Sequence, residues 1–180
     1  MMYRTDYETG LIGALTLASD GEALVGCWFD NDRFFGYGVG DEVVEERGNL
    51  PVFGAARRWL DRYFAKERPA PTELPLAPRG TAFQRRVWDI LAEIPYGQTV
   101  TYGQIAKRMA AESGGRMSAQ AVGGAVGRNP LCVIVPCHRV MGASGNLTGF
   151  GGGIATKKKL LELEGVDISG FYTPKTGTAL

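Results

Sequence analysis

Asn129-Pro130-Leu131-Cys132-Val133-Ile134-Val135-Pro136-Cys137-His138-Arg139-Val140 is the stretch on which the reading of this chain turns. Its apolar run, 131–135, has the length of a buried strand. Pro136 ends the run, because proline has no N–H for a ladder and restricts the residue before it. The pattern predicts a strand over 131–135 and a turn at Pro136. Directly after the turn stand a thiol, the single histidine of the 180 residues and a guanidinium. A rigid element that ends at a Cys-His pair presents a nucleophile. A cysteine in an apolar run is ordinarily a small buried hydrophobe, and Cys132 is read that way. Cys137, next to the only imidazole, is read as reactive.

Working outward, 180 residues of which 44% are hydrophobic suffice for one domain of ordinary size or two small ones. No apolar segment approaches the roughly 20 residues of a membrane span, and the first residues lack the apolar core of a leader. A cytoplasmic protein with no membrane partner is the expectation. Three cysteines, Cys27, Cys132 and Cys137, make an odd count without framework spacing, which disfavours a structural disulfide. Cys27 has no Cys or His nearby to complete a tetrahedral set, so neither a metal nor any other cofactor is expected. The net charge of +1 conceals an asymmetry: residues 1–78 hold 8 Lys+Arg against 13 Asp+Glu, and residues 79–180 hold 12 against 6. The basic half is the half with the Cys-His pair, and a polyanionic partner fits it; a solvated basic face is the plainer alternative.

In chain order, two apolar runs, 10–18 and 23–29, flank the turn Ser19-Asp20-Gly21-Glu22 and predict a hairpin. A third strand is placed near Phe34-Phe35-Gly36-Tyr37. Val52, Ala55, Trp59 and Tyr63 fall at helical spacing after Pro51, predicting a helix over 51–64. Its aromatics read as core and Asp41-Glu42-Glu45-Glu46 as solvated surface, so this half, 1–78, is a small hairpin-rich α/β domain without evident chemistry. Four of the nine prolines lie in 68–79, an extended connector. The second domain, 79–168, then reads as helical. Thr81 caps a helix to Ile94, a second runs over 101–111 and a third over 118–127, and the last, 156–165, precedes a tail, 169–180. Two helices on a short glycine-containing connection are compatible with a helix-turn-helix. Glycines 123, 124 and 127 in the third helix each cost about 1 kcal/mol relative to alanine. A low-profile face made by Ala119, Ala121, Gly123 and Gly124 explains that cost, whether it meets another backbone or packs inside the protein. Glu164, near the negative end of the last helix, calls for a partner. The loop 142–153 is glycine-rich without the spacing of a phosphate loop.

Val135-Pro136-Cys137-His138-Arg139-Val140, with Asn129-Pro130 before it and Gly149-Phe150-Gly151-Gly152 after it, closely resembles the O6-alkylguanine-DNA alkyltransferases, over about Thr81 to Gly165. The resemblance implies a ribonuclease H-like N-terminal domain and a winged-helix-like C-terminal one. It implies irreversible, single-turnover transfer of an alkyl group from guanine O6 in DNA to Cys137, with O4-alkylthymine left open as a second substrate. It also implies a relay of Cys137, water, His138 and Glu164, with Asn129 buttressing the turn and Tyr102 donating to the base. By the same resemblance, main-chain groups of Cys137, Val140 and Gly151 match positions that read the base edge, and Phe150 and Gly152 are expected in the substrate pocket. The partner implied is double-stranded DNA bound in its minor groove by a monomer. Thr101, Tyr102, Ala119, Gln120, Ala121, Gly123, Gly124 and Arg128 form the contact set. Many relatives place arginine where Gln120 stands; some have tyrosine at Phe150 or serine at Gly151. Two other readings compete: a cysteine hydrolase, which would turn over, and an alkyltransferase-like lesion-binding protein, whose members lack the cysteine that Cys137 supplies.

Overall fold

The computed structural model describes residues 1–175; of the tail placed at 169–180, residues 176–180 lie outside the described part. Strands β2 (Ala14–Ser19) and β3 (Leu24–Phe29) form the hairpin that the two apolar runs predict. Two further strands complete the sheet. Strand β1 (Met2–Glu8) pairs antiparallel with β2, and β4 (Val44–Glu46) runs parallel to β1, giving the order β3-β2-β1-β4. Strand β4 occupies the acidic segment read as plain surface. It is an exposed edge whose Glu46 pairs with Arg4 at 2.5 Å, and charge of this kind keeps an edge from pairing with other chains.

The strand placed near Phe34–Tyr37 is absent: residues 33–41 are successive turns. The cause is local. Asp32 Oδ1 accepts the Phe34 N–H at 2.8 Å, and Gly36, Gly38 and Gly40 all take positive φ, which extended backbone does not allow. Helix α1 (Pro51–Phe64) buries Val52, Phe53, Ala56, Trp59, Leu60 and Tyr63 in a core shared with Leu15, Leu17, Cys27 and Phe29. The proline-rich connector lies along β3, with Leu24 N donating to Pro75 O and Ala77 N to Leu24 O, both at 2.8 Å.

Helices α2 (Ala82–Ala92), α3 (Tyr102–Ser113), α4 (Ala119–Gly127) and α5 (Ile154–Leu163) build the second half. Thr81 and Thr101 each cap a helix reciprocally with a glutamine three residues on, and Ser118 caps α4. Gly114, left-handed at φ 70°, closes α3. Trp88 locks α2 to α4 through its Nε1 bond to Ala125 O at 2.9 Å. Short strands β5 (Val100–Thr101) and β6 (Val140–Met141) pair in parallel and hold the start of α3 beside the residue after the Cys-His turn.

The predicted strand over 131–135 is corrected to a single bridge followed by tight turns. Leu131 alone pairs, with Cys27 of β3; Cys27 N donates to Pro130 O at 2.7 Å and Cys132 N to Cys27 O at 2.9 Å. Beyond it the chain reverses, with Ile134 N reaching Cys132 O and Val135 N reaching Leu131 O, both at 2.8 Å. All five residues are buried, so the apolar run reports burial correctly and conformation wrongly, as periodicity cannot distinguish the two in so short a run. The N-terminal sheet thus anchors the segment that leads into the reactive turn.

Candidate active site

Asn129 fixes the turn at both ends: its Nδ2 donates to Val135 O at 2.7 Å and its Oδ1 accepts from Leu131 N at 3.0 Å. Between them Val133 sits at φ 70°, a region that β-branched residues avoid, and strain of this kind is held only where the surroundings over-determine the backbone. Cys137, His138 and Arg139 follow Pro136 in one 3-10 turn, and all three are buried.

Glu164 sits immediately past α5 and is the hub of the site. Its Oε1 is 2.6 Å from His138 Nε2 and accepts from Tyr63 Oη at 2.7 Å; Arg139 grips both oxygens, Nε to Oε2 and Nη2 to Oε1, each at 2.9 Å. The Gly97 N–H adds a bond to Oε2 at 3.1 Å. Burial alone would push this carboxyl up, but His138 and Arg139 outweigh it and hold it below the usual carboxylate range. Burial pulls His138 below its ordinary value against the opposing pull of Glu164, so the imidazole is neutral at pH 7. With Nε2 facing a carboxylate, the proton belongs on Nε2, which leaves Nδ1 as an acceptor. Nδ1 is buried and has no partner among the described residues. The site therefore holds a base oriented by a carboxylate one residue from a thiol.

The Cys137 thiol is held below its ordinary value, and the largest cause is the Cys132 thiol donating to it; burial opposes, while the Asn129 amide and the Lys157 charge assist. Cys132, read as a packing residue, is indeed buried, but its sulfur also lies 3.5 Å from Asp32 Oδ2 and 3.7 Å from Asn129 O.

Around the thiol, Tyr102 is buried with its Oη 3.3 Å from Thr148 O, and burial raises its hydroxyl above the ordinary tyrosine value. Phe150 meets Phe29 edge to face. A side chain on Gly151 would begin 2.6 Å from Asp32 Oδ1, and one on Gly152 would begin 2.5 Å from the Phe29 ring. A β-carbon at either position would therefore force the Asp32 carboxylate or the Phe29 ring to shift. Val140 is buried, and its carbonyl accepts from Lys157 Nζ at 2.5 Å, with Thr148 O at 3.1 Å as the second acceptor. Lys157 is fully buried, and desolvation brings its ammonium down to about 8.

On α4, Ala119, Gln120 and Ala121 are exposed and Gly124 is half-buried. Gly123, also in the expected contact set, is buried. Thr101 is half-buried and spends its hydroxyl on the α3 cap, and Arg128 is tied to Gly124 O at 3.1 Å and stacked on the Phe34 ring at 4.8 Å. Four members of the site escape the sequence reading. Arg139 was visible in the motif but carried no assigned partner; Lys157 is one of three consecutive lysines; Tyr63 has the spacing of a core residue; Asp32 has no distinguishing signal. Two of these, Tyr63 and Asp32, come from the half read as free of chemistry.

Comparison with known proteins matches both halves of the chain. The family model described as 6-O-methylguanine DNA methyltransferase, ribonuclease-like domain, matches residues 2–78, and its DNA binding domain matches residues 82–166. A methylated-DNA–protein-cysteine methyltransferase of Haemophilus influenzae is 40% identical over 163 residues, covering 91% of this chain and 86% of the relative. One of Mycobacterium tuberculosis is 45% identical over 153 residues, covering 85% and 87%. The crystal structure of Mycobacterium tuberculosis OGT in complex with DNA superposes with a TM-score of 0.74 at 42% identity, covering 91% of each chain. With both halves matched and relatives at 40–45% identity over most of its length, the chain belongs to the 6-O-methylguanine DNA methyltransferase family.

Proposed function

We propose that this chain repairs DNA directly, by moving an alkyl group from guanine O6 in a duplex to the sulfur of Cys137. The observation that carries the reading is the combination of a thiol held low by its neighbours with a buried, neutral His138 whose Nε2 is occupied by Glu164. Nδ1 takes the thiol proton through a bridging water, and the resulting imidazolium is stabilised by the carboxylate. The thiolate attacks the alkyl carbon in line, the C–O bond breaks, and guanine leaves with its charge met by a donor, for which Tyr102 is the candidate. The product is a thioether, which offers water no carbonyl to attack, so each chain acts once.

A stacked base cannot reach a buried sulfur, so the nucleotide must be extruded at a cost of a few kcal/mol. The exposed Ala119-Gln120-Ala121 surface of α4 enters the minor groove in this reading, with Gln120 filling the vacated stack. Intact mass spectrometry after incubation with an O6-methylguanine duplex tests the proposal. One methyl group on Cys137 per chain, followed by loss of activity, is expected. Repeated turnover would indicate a hydrolase, and tight binding without mass gain a lesion-binding protein.

A further inference from the structure

In the transfer reaction Cys132 only helps to hold Cys137 low and is not itself consumed. A methyl acceptor needs one thiol, yet the turn carries two, at positions 132 and 137, on either side of its reversals. The reversals between Leu131 and Cys137, closed by Val135 N to Leu131 O and by Cys137 N to Val135 O, both at 2.8 Å, fold the five-residue separation back on itself. The Cys132 sulfur has Asp32 Oδ2 at 3.5 Å and Asn129 O at 3.7 Å as its acceptors, and among the neighbours of Cys137 it does most to hold that thiol low. Cys27, the third thiol, is held in β3 with its backbone bonded on both sides to this segment.

We propose that Cys132 is a resolving cysteine, which closes a reversible Cys132–Cys137 disulfide when a hydroperoxide oxidises the nucleophile. The Cys137 thiolate attacks the peroxide oxygen, forming an S–O bond as the O–O bond breaks, and one water (or an alcohol) leaves. Cys132 then attacks the sulfenic sulfur, an S–S bond replaces the S–O bond, and a second water leaves. Two thiols are oxidised and one peroxide is reduced. Asp32 is placed to take the Cys132 proton in the second step. Its carboxyl, lifted above the ordinary range by burial, is a better base than a solvated aspartate. A lone sulfenic acid proceeds with further peroxide to sulfinic and sulfonic acids, which are permanent losses, whereas the disulfide returns to two thiols with a thiol reductant. The pair therefore protects a nucleophile that the chain can use only once.

The test needs no DNA for its main readout. Tryptic peptide 129–139 contains both cysteines, so after hydrogen peroxide it should lose two hydrogens and regain them with dithiothreitol. Cys132→Ser should instead gain two or three oxygens on Cys137, and its transfer, relative to its own untreated level, should not recover on reduction. Asp32→Asn, which keeps an oxygen for the Phe34 amide, should slow closure of the disulfide several-fold and raise the overoxidised fraction. Overoxidation of wild-type Cys137 without loss of hydrogens, a cross-link joining this peptide to the one with Cys27, or equal recovery of Cys132→Ser would overturn the proposal. The recovery arm alone rests on alkyl transfer. A disulfide that forms in a chain unable to accept a methyl group would fault the transfer reading and leave this one standing.

Discussion

At the scale of single residues, Glu164 carries more than its place in a relay requires. It compensates the buried charge of Arg139 as well as orienting His138, so Glu164→Gln should both slow transfer and cost stability, on the order of 3 kcal/mol, because a buried guanidinium loses its counterion. Duplex affinity should change little. Single-turnover rates beside a urea titration and a binding isotherm check the three effects together. Equal losses of rate and affinity would assign the carboxylate to the DNA surface. Tyr63→Phe isolates the contribution of the N-terminal half. It removes one 2.7 Å bond to the carboxylate and leaves His138 and Arg139 in place. A loss of about 1.5–3 kcal/mol is expected, as for hydrogen bonds to charged groups, with slower transfer and unchanged affinity. A transfer rate equal to wild type would reduce Tyr63 to packing.

At the scale of elements, α4 and the turn before Cys137 both depart from what their residues prefer. Gln120 can occupy the space of a flipped base but lacks the guanidinium's attraction for phosphates. Gln120→Arg should therefore tighten duplex binding and, by neutralising one phosphate, steepen the log-affinity against log-salt slope by roughly 0.9. Gln120→Gly should slow repair in duplex far more than transfer from the free base, which needs no extrusion; equal slowing of both substrates would place Gln120 in the fold. The turn offers a separate test, because Val133 is buried at φ 70°. Ala in its place loses the packing and keeps the strained backbone, whereas Gly loses slightly more packing and relieves strain worth about 1–3 kcal/mol. Denaturation should rank Val133→Gly at or above Val133→Ala in stability, the reverse of the usual order. The usual order would show that the turn relaxes when the side chain is cut back.

For the whole molecule, the Glu164 hub couples stability to pH. His138 is depressed below its ordinary 6.5 in the folded state, so its contribution is complete above about pH 6.5 and is lost as pH falls through the folded value. Glu164 is depressed below 4.5, so its contribution is present above pH 4.5 and is lost below it. Both signs point the same way: the protein should be least stable in acid, with Tm falling first below pH 6.5 and again below 4.5. Glu164→Gln should remove the second fall, since no carboxyl remains to protonate there. A Tm that is flat from pH 7 to 4 would mean that the hub is open to solvent.

The sequence by itself determined the parts that depend on local chemistry. Thr81, Thr101 and Ser118 mark helix starts because their hydroxyls satisfy amides three residues on, Pro51 opens α1, and Pro136 stops the apolar run and presents the Cys-His pair. The motif around Cys137 also suffices to indicate the family. Only the tertiary structure decided how the apolar run is used. Leu131 pairs with Cys27 far away in sequence, and that single bridge spares the rest of the run from being a strand. It likewise decided that Gly123 is buried while Gly124 stays near the surface, and that Arg139, rather than His138 alone, compensates Glu164. Tyr63 and Asp32 have the spacing of a core residue and a turn residue, and nothing in their neighbourhoods marks them. They become parts of the site because a sheet and a helix from one half close over the turn of the other. Hydrogen bonds and charge compensation in a buried cluster depend on that closure, which no local pattern encodes.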